Sequence, residues 1–273
     1  MVLVTNSNTI DNFITFIGAR RYDVIGKIKF DGTDANAGPF APSSGHKANG
    51  IDQCQFDKRD GNFYLNIQAT DDGASHPVSP GYTLRISSTA PFKVTGWQSI
   101  NYTSTSCYAP MGLAVGPADQ LALGCGPPPT TTTPANSLII SDQFDGTAIP
   151  SGPGGVDEVW YNSGTNHYYY GAYLARPTPT VGVVDAGSTT NNSCNTTPVP
   201  SGCPTSDPSI PTPLVFVHSV AADSVSNQVY VPIRSSLFGG AKVCSSITGQ
   251  AANDLQGCIA VYNDPREVPP GSN

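Results

Sequence analysis

The sequence predicts an all-β fold, and two features of its composition support this prediction. Only 12% of the 273 residues are Asp, Glu, Lys or Arg, whereas the chain contains 28 Gly and 25 Pro. Gly and Pro favour tight turns between short strands. No segment longer than a few residues has the apolar spacing of a helix, so an α/β fold has little support.

Repeated hairpins indicate how the strands are organised. Four segments each contain an apolar strand, a turn rich in Asp, Gly or Asn, and a second apolar strand. These segments are GIDQCQFDKRDGNFYLNI, MGLAVGPADQLALGC, VDEVWYNSGTNHYYYGA and HSVAADSVSNQVYVPI, which begin at Gly50, Met111, Val156 and His218. Third strands are predicted in NFITFIGA, YTLRIS, SLIISDQ, TVGVVDA and GCIAVYND, and fourth strands in VIGKIKF and FKVTGWQSI. A repeated unit of four antiparallel strands predicts a β-propeller.

About five blades can be recognised in the sequence. The chain opens in what is predicted as the second strand of a blade and stops after the third strand of another. We therefore expect an incomplete ring of about six or seven blades, unless weak strands in the long loops complete it. A single propeller domain is expected over residues 1–265, with a C-terminal tail at 266–273. Long loops are expected at 31–49, after Cys125, at 187–213 and at 234–256.

The charge distribution limits the classes of partner. The net charge is −7, and the 13 Lys and Arg residues are scattered singly, so nucleic acid is not an expected partner. No apolar stretch reaches the roughly 18 residues that span a membrane, and we expect no signal peptide within this chain, because its first residues lack a charged n-region and an apolar h-region. Open blade edges would favour self-association.

The seven cysteines are predicted to form local disulfides, since none has the spacing of a zinc or haem motif. The expected pairs, which leave Cys54 over, are Cys107–Cys125, Cys194–Cys203 and Cys244–Cys258. Disulfides indicate an oxidising compartment, so we expect a secreted, periplasmic or cell-surface protein. The alternative is a cytosolic protein with buried free thiols.

Aligning the hairpins predicts a candidate site. The last residue of each first strand is Asp57, Gly116, Asn162 or Asp223, and five residues earlier in each blade stand Asp52, Met111, Asp157 and His218. Equivalent positions of first strands face one axis at one height, so these side chains are expected to converge at one mouth of the channel.

The residue types at this mouth allow three roles. Asp52, Asp157 and His218 could ligate a divalent metal ion such as Ca²⁺, Zn²⁺ or Mn²⁺, which would activate water or polarise a carbonyl. Without a metal, His218 could act as a catalytic general base oriented by Asp157, with Glu158 adjacent. Alternatively, the carboxylates could cap the backbone of their own loops.

Other tyrosine and histidine residues that could serve a functional site are predicted to be structural or exposed to solvent. The tyrosines of NHYYYGAY are expected to pack between blades, because aromatic residues in a second strand commonly do so. His76 and His167 stand in polar, turn-like contexts and are expected to be exposed to solvent.

The pieces VTNSNTIDNFITFI, KIKFDG, GGVDEVWYN, VGVVDAG and HSVAADSVSNQVYVP resemble bacterial YVTN/NHL-type β-propellers, and more distantly the senescence-marker/gluconolactonase superfamily. The resemblance covers nearly the whole chain and implies a fold, not one chemistry. Two functions follow as expectations. The first is a secreted module that binds a small molecule or protein at the channel mouth and loops. The second is a metal-assisted, lactonase-like hydrolase or lyase.

Overall fold

The computed structural model describes most of the chain. The described residues are 1–7, 11–71, 80–101, 107–126, 136–144, 149–173, 180–188, 194, 201–211, 217–234, 244–246, 248–249 and 257–264. The expected tail at 266–273 and His76 lie outside them.

The described strands form five antiparallel sheets, in which each strand pairs with its neighbours in the sequence. Blades 1 and 5 have three described strands each: β1 (Val2–Asn6), β2 (Phe13–Ile17) and β3 (Val24–Lys29) in blade 1, and β16 (Ala221–Ala222), β17 (Gln228–Arg234) and β18 (Gly257–Asn263) in blade 5. This architecture confirms the predicted all-β propeller with about five recognisable blades.

Blades 2 to 4 have four described strands each. Blade 2 consists of β4 (Lys47–Asp57), β5 (Asn62–Asp71), β6 (Gly81–Ser87) and β7 (Val94–Ile100). Blade 3 consists of β8 (Tyr108–Val115), β9 (Gln120–Gly126), β10 (Asn136–Ser141) and β11 (Ile149–Pro153). Blade 4 consists of β12 (Val159–Asn162), β13 (His167–Ala172), β14 (Thr180–Asp185) and β15 (Thr205–Pro211). One short 3₁₀ helix, Gly38–Phe40, precedes β4.

Two outermost strands were not predicted from the sequence. β11 and β15 have the sequences IPSGP and TSDPSIP, and β15 lies inside the segment 187–213 that was expected to be a loop. Both strands contain two prolines, which lack the amide hydrogen needed at the centre of a sheet. Proline is tolerated on edge strands, and among the described strands each of these two pairs on one side only.

The core lies between successive blades. The three consecutive tyrosines of β13 show the principle, because adjacent side chains of a strand point to opposite faces. Tyr168 and Tyr170 pack in the cluster shared with blade 3, whereas Tyr169 packs against Val229 and Val231 of blade 5. All residues of β13 are buried. The predicted packing between blades is therefore confirmed for Tyr168, Tyr169 and Tyr170.

The hairpin turns of three blades share one local geometry. Asp57 and Asn162 end a first strand and Asp223 directly follows one, and each accepts a hydrogen bond from the amide two residues later. Four residues after each of them stands a residue with positive φ, namely Gly61, Asn166 or Asn227. Gly and Asn tolerate this left-handed conformation better than other residues. The turn chemistry therefore sets the register of the first two strands.

Polar contacts join successive blades at this hairpin end. The Arg59 guanidinium of blade 2 lies 3.7 Å from the Asp142 carboxylate of blade 3. The Gln120 side chain of blade 3 donates to the Ala186 carbonyl of blade 4 at 2.7 Å. Arg59 lies in the turn before β5 and Gln120 begins β9, and each contacts the residue that directly follows the third strand of the next blade.

The equivalent contact between blades 4 and 5 uses His167. Its Nδ1 donates to Asp264 Oδ2 at 2.6 Å, and the Tyr169 hydroxyl donates to the same oxygen at 2.5 Å. Asp207 Oδ2 lies 3.6 Å from His167 Nε2. The expectation that His167 is exposed to solvent was wrong, because the aspartate after β18 and the outer strand β15 enclose the ring.

All three predicted disulfides are present: Cys107–Cys125, Cys194–Cys203 and Cys244–Cys258. Cys54 is left as a free, half-buried thiol. In the part of the chain that the structure describes, no helix is long and apolar enough to cross a membrane.

Candidate functional site

The end of the blades opposite the hairpin turns holds the predicted site. Asp157 stands two residues before β12 of blade 4, and His218 stands three residues before β16 of blade 5. Their side chains form an ion pair, with Nε2 of the imidazole 2.6 Å from Oδ2 of the carboxylate. The carboxylate side chain is 11% exposed and the imidazole 52% exposed. A nearly buried acid therefore holds an accessible imidazole.

Backbone contacts fix the position of Asp157. The amides of Gly155 and Val156 both donate to the carbonyl of Cys125 at the end of β9. The Asp157 amide then donates to the carbonyl of Gly171 in β13, at 3.3 Å. Gly112 of β8 allows this segment to approach, since a Cβ there would lie 2.7 Å from the Asp157 carbonyl oxygen.

His218 lies over the end of β13. A Cβ at Gly171 would lie 3.1 Å from the His218 carbonyl oxygen, so the missing side chain permits close packing of the two backbones. The Tyr173 ring, just after β13, lies 5.8 Å from the imidazole, with an angle of 36° between the planes. This contact adds an aromatic face to the site.

Asp52 comes from blade 2 and is held by a β-bulge. The pairing of β4 with β5 shifts register between Ile51 and Cys54, and Asp52 lies within the bulge. The Gln68 side chain of β5 donates to its carboxylate at 2.6 Å. The amide of Gln53 also hydrogen-bonds this carboxylate. Part of the role of Asp52 is therefore local capping, as the structural alternative predicted.

Gln53, beside Asp52, joins three first strands and was not predicted from the sequence. Its Oε1 accepts from the amide of Leu113 in β8 at 2.7 Å and from that of Val159 in β12 at 3.3 Å. Its Nε2 donates to the carbonyl of Val159 at 3.3 Å. These bonds hold the first strands of blades 2, 3 and 4 close together next to Asp52 and Asp157.

We call Asp52, Asp157, Glu158, His218 and Tyr173 the mouth cluster. Burial raises the pKa of Asp157 to about 6, with smaller contributions from the negative charges of Asp52 and Glu158, while the His218 charge opposes the rise. Burial also raises the pKa of Asp52. The Tyr173 pKa is raised by burial and then by the Asp157 and Asp52 charges. The members of the cluster are thus electrostatically coupled.

The structure brings two of the predicted site residues into direct contact and places the others at longer range. Asp157 and His218 are in contact, and Asp52 and Glu158 lie within electrostatic range of them. Met111, the fourth equivalent position, contributes a backbone carbonyl that accepts from the Asn66 side chain at 3.2 Å. The expected metal site is not confirmed, because the described residues contain no group of three or more His, Cys, Asp or Glu that could hold a metal ion.

The coupling predicts how the pKa of Asp157 responds to substitution. His218→Gln removes a charge that lowers this pKa, so the value should rise above about 6, whereas Asp52→Asn removes a charge that raises it, so the value should fall. The measurement is a ¹³C NMR titration of the Asp157 carboxyl group in each variant. Equal values in the wild type and both variants would contradict the coupling.

Comparisons with known proteins add little to this description. No protein-family model matches the chain. No curated protein matches it either. Among solved structures, the chain is similar to the crystal structure of the Cps50 (Swd1) β-propeller domain from Myceliophteria thermophila. The identity is 10%, the match covers 84% of this chain and 78% of that chain, and the TM-score is 0.40. The fold assignment rests on the strand order and blade packing described above.

Proposed function

We propose that this propeller is a binding module, which holds a small molecule or a protein segment at the mouth cluster through a positively charged group. The observation that carries the proposal is the ion pair between Asp157 of blade 4 and His218 of blade 5, to which Asp52 of blade 2 is coupled. Three blades that are distant in the sequence thus bring two carboxylates and an imidazole to one site, where the imidazole is accessible to solvent.

The charge of the cluster supports a cationic ligand. Three carboxylates surround one imidazole, and no Lys or Arg is among the groups that shift the pKa values of Asp52 and Asp157. Carboxylates near one another at a recessed surface create a negative potential that attracts cations. The Tyr173 ring, 5.8 Å from the imidazole, offers a face for cation–π contact.

Binding can be tested with blocked Gly-Arg-Gly, Gly-Lys-Gly and Gly-Glu-Gly peptides titrated into ¹⁵N-labelled protein. The two cationic peptides should shift the amide signal of Asp157 and the ring signals of His218, and the acidic peptide should not. Asp52→Asn should weaken binding about tenfold.

The matched control is Asp23→Asn, which removes an exposed carboxylate of blade 1 outside the mouth cluster. It should bind the cationic peptides as the wild type does. Identical shifts with all three peptides, or no effect of Asp52→Asn, would refute the proposed recognition of a cation.

A second candidate function is acid–base catalysis of hydrolysis or elimination. The observation that favours it is the nearly buried Asp157 carboxylate bonded to an imidazole that is half exposed, an arrangement that orients a general base. Turnover of p-nitrophenyl acetate and of δ-valerolactone tests this candidate. Activity that is lost in His218→Gln and kept in Asp23→Asn would support it, and no turnover by the wild type would exclude it for these substrates.

We further propose that the propeller is of the YVTN/NHL type and acts in a secreted, periplasmic or cell-surface location. The shared turn geometry of Asp57, Asn162 and Asp223 supports repetition of one sequence motif. The three disulfides fit an oxidising compartment. We also propose that residues 1–265 form one domain.

A further inference from the structure

The His218 side chain occupies the mouth cluster in the way that a bound cation would. Its Nε2 lies 2.6 Å from Asp157 Oδ2, and its ring centroid lies 5.8 Å from that of Tyr173, with 36° between the two planes. One planar group thus contacts both a carboxylate and an aromatic ring. The Asp157 side chain is only 11% exposed with the imidazole in place, so a ligand reaches little of this carboxylate unless the imidazole moves away.

A cation at the position of the imidazole interacts with more than one carboxylate. Burial raises the pKa of Asp52 and that of Asp157, and the positive charge of His218 opposes both increases. The negative charge of Glu158 contributes to both increases. The place where the imidazole lies is therefore the place where positive charge is favoured, and a ligand cation has to compete with His218 for it.

We propose, as an extension that rests on the cation binding proposed above, that the ligand group is a guanidinium, which displaces the His218 ring from Asp157 and lies against Tyr173. A guanidinium is planar, as an imidazolium is, and it stacks on aromatic faces. It can present two parallel N–H groups to one carboxylate, whereas the imidazole presents one from Nε2. It also keeps its charge at every pH at which proteins are folded, which a free imidazole does not.

The same comparison disfavours a lysine ammonium. An ammonium group is a compact and strongly hydrated point charge. It reproduces the charge of an imidazolium but not its planar shape, so it replaces the contacts with Asp157 and Tyr173 less completely. A guanidinium can belong to an arginine side chain of a protein segment or to a small molecule, and the cluster recognises the chemistry that both sources share.

Isothermal titration calorimetry with blocked Gly-Arg-Gly and Gly-Lys-Gly peptides tests this preference. The arginine peptide should bind at least about tenfold more tightly than the lysine peptide. His218→Gln removes the competing group and should strengthen binding of the arginine peptide about fivefold. Tyr173→Leu should weaken it about fivefold. The matched control is Lys58→Gln, which removes an exposed positive charge in the β4–β5 turn at the opposite end of the blades and should leave the affinity unchanged.

The NMR signals of the His218 ring report the displacement directly in the wild type. Asp157→Asn removes the carboxylate and supplies reference shifts for the ring without this ion pair. At saturation with the arginine peptide, the ring signals of the wild type should move toward these reference shifts. Ring signals that keep their ion-paired shifts at saturation would overturn the proposed displacement.

Ethylguanidinium distinguishes the two sources of the guanidinium. An affinity close to that of the arginine peptide indicates a small molecule, whereas an affinity at least about tenfold weaker indicates a protein segment, and both results support recognition of a guanidinium. Equal affinities for the arginine and lysine peptides, or no effect of His218→Gln, would overturn this inference and leave the proposed cation binding intact. Binding of neither peptide would refute the proposed function and this inference with it. Unchanged amide spectra away from the mouth cluster show that the variants are folded.

Discussion

Replacing Asp264 with alanine is expected to lower the free energy of unfolding by about 3 kcal/mol, because its carboxylate is a shared buried acceptor. The carboxylate is 0% exposed and accepts hydrogen bonds from His167 Nδ1 and from the Tyr169 hydroxyl. Removing it takes the acceptor from the buried imidazole Nδ1, and leaves the Tyr169 hydroxyl only longer contacts such as that with Thr165 Oγ1 at 3.4 Å. Burying unpaired polar groups costs more than a lost surface contact.

Urea denaturation measures this effect, and related variants separate its parts. Tyr169→Phe removes one donor and should cost about 1 kcal/mol. Asn263→Ala, at an exposed neighbouring position, should change stability by less than about 0.5 kcal/mol. A cost for Asp264→Ala no greater than that of Asn263→Ala would show that the contact between blades 4 and 5 contributes little to stability.

Removing the Cys107–Cys125 disulfide by replacing both residues with alanine should cost about 3 kcal/mol. The two cysteines are separated by 18 residues, and opening this loop raises the conformational entropy of the unfolded chain. The bridge also anchors the Cys125 carbonyl, which accepts from the Gly155 and Val156 amides just before Asp157. Its loss should therefore also shift the amide signal of Asp157.

Two comparisons make this prediction specific. Removing Cys194–Cys203, with a separation of 9 residues, should cost about 0.5 kcal/mol less, because a shorter loop restrains the unfolded chain less. Cys54→Ala removes a thiol without opening a bridge. If the double variant at 107 and 125 were as stable as Cys54→Ala, the disulfide would not stabilise the fold.

Local patterns explain which parts of the fold could be predicted. The hairpin of blade 5 was recognisable because Asp223 and Asn227 are turn residues between apolar runs, and hairpin geometry depends on neighbours in the sequence. β11 and β15 were missed because IPSGP and TSDPSIP lack apolar alternation. They form strands because their backbones pair with the edges of β10 and β14.

Part of the candidate site could likewise be predicted from the sequence, and part of it could not. The equal offset of Asp157 and His218 in two blades was visible in the sequence, and their contact follows from the quasi-symmetry of the blades. Gln53 gave no such signal, because its partner Val159 is 106 residues away. The binding and catalytic roles of the cluster stay predictions.

The sequence by itself determined the all-β class, the four-stranded repeat and the three disulfide pairs, because turn residues, apolar alternation and short cysteine spacings are local properties. Tertiary structure decided which polar side chains became buried. His167 directly follows a polar turn in the sequence, yet its ring lies between blades because Asp264, 97 residues later, folds against it. The near-complete burial of the Asp157 carboxylate likewise depends on which blade covers which surface, since burial is a property of the packed sheets.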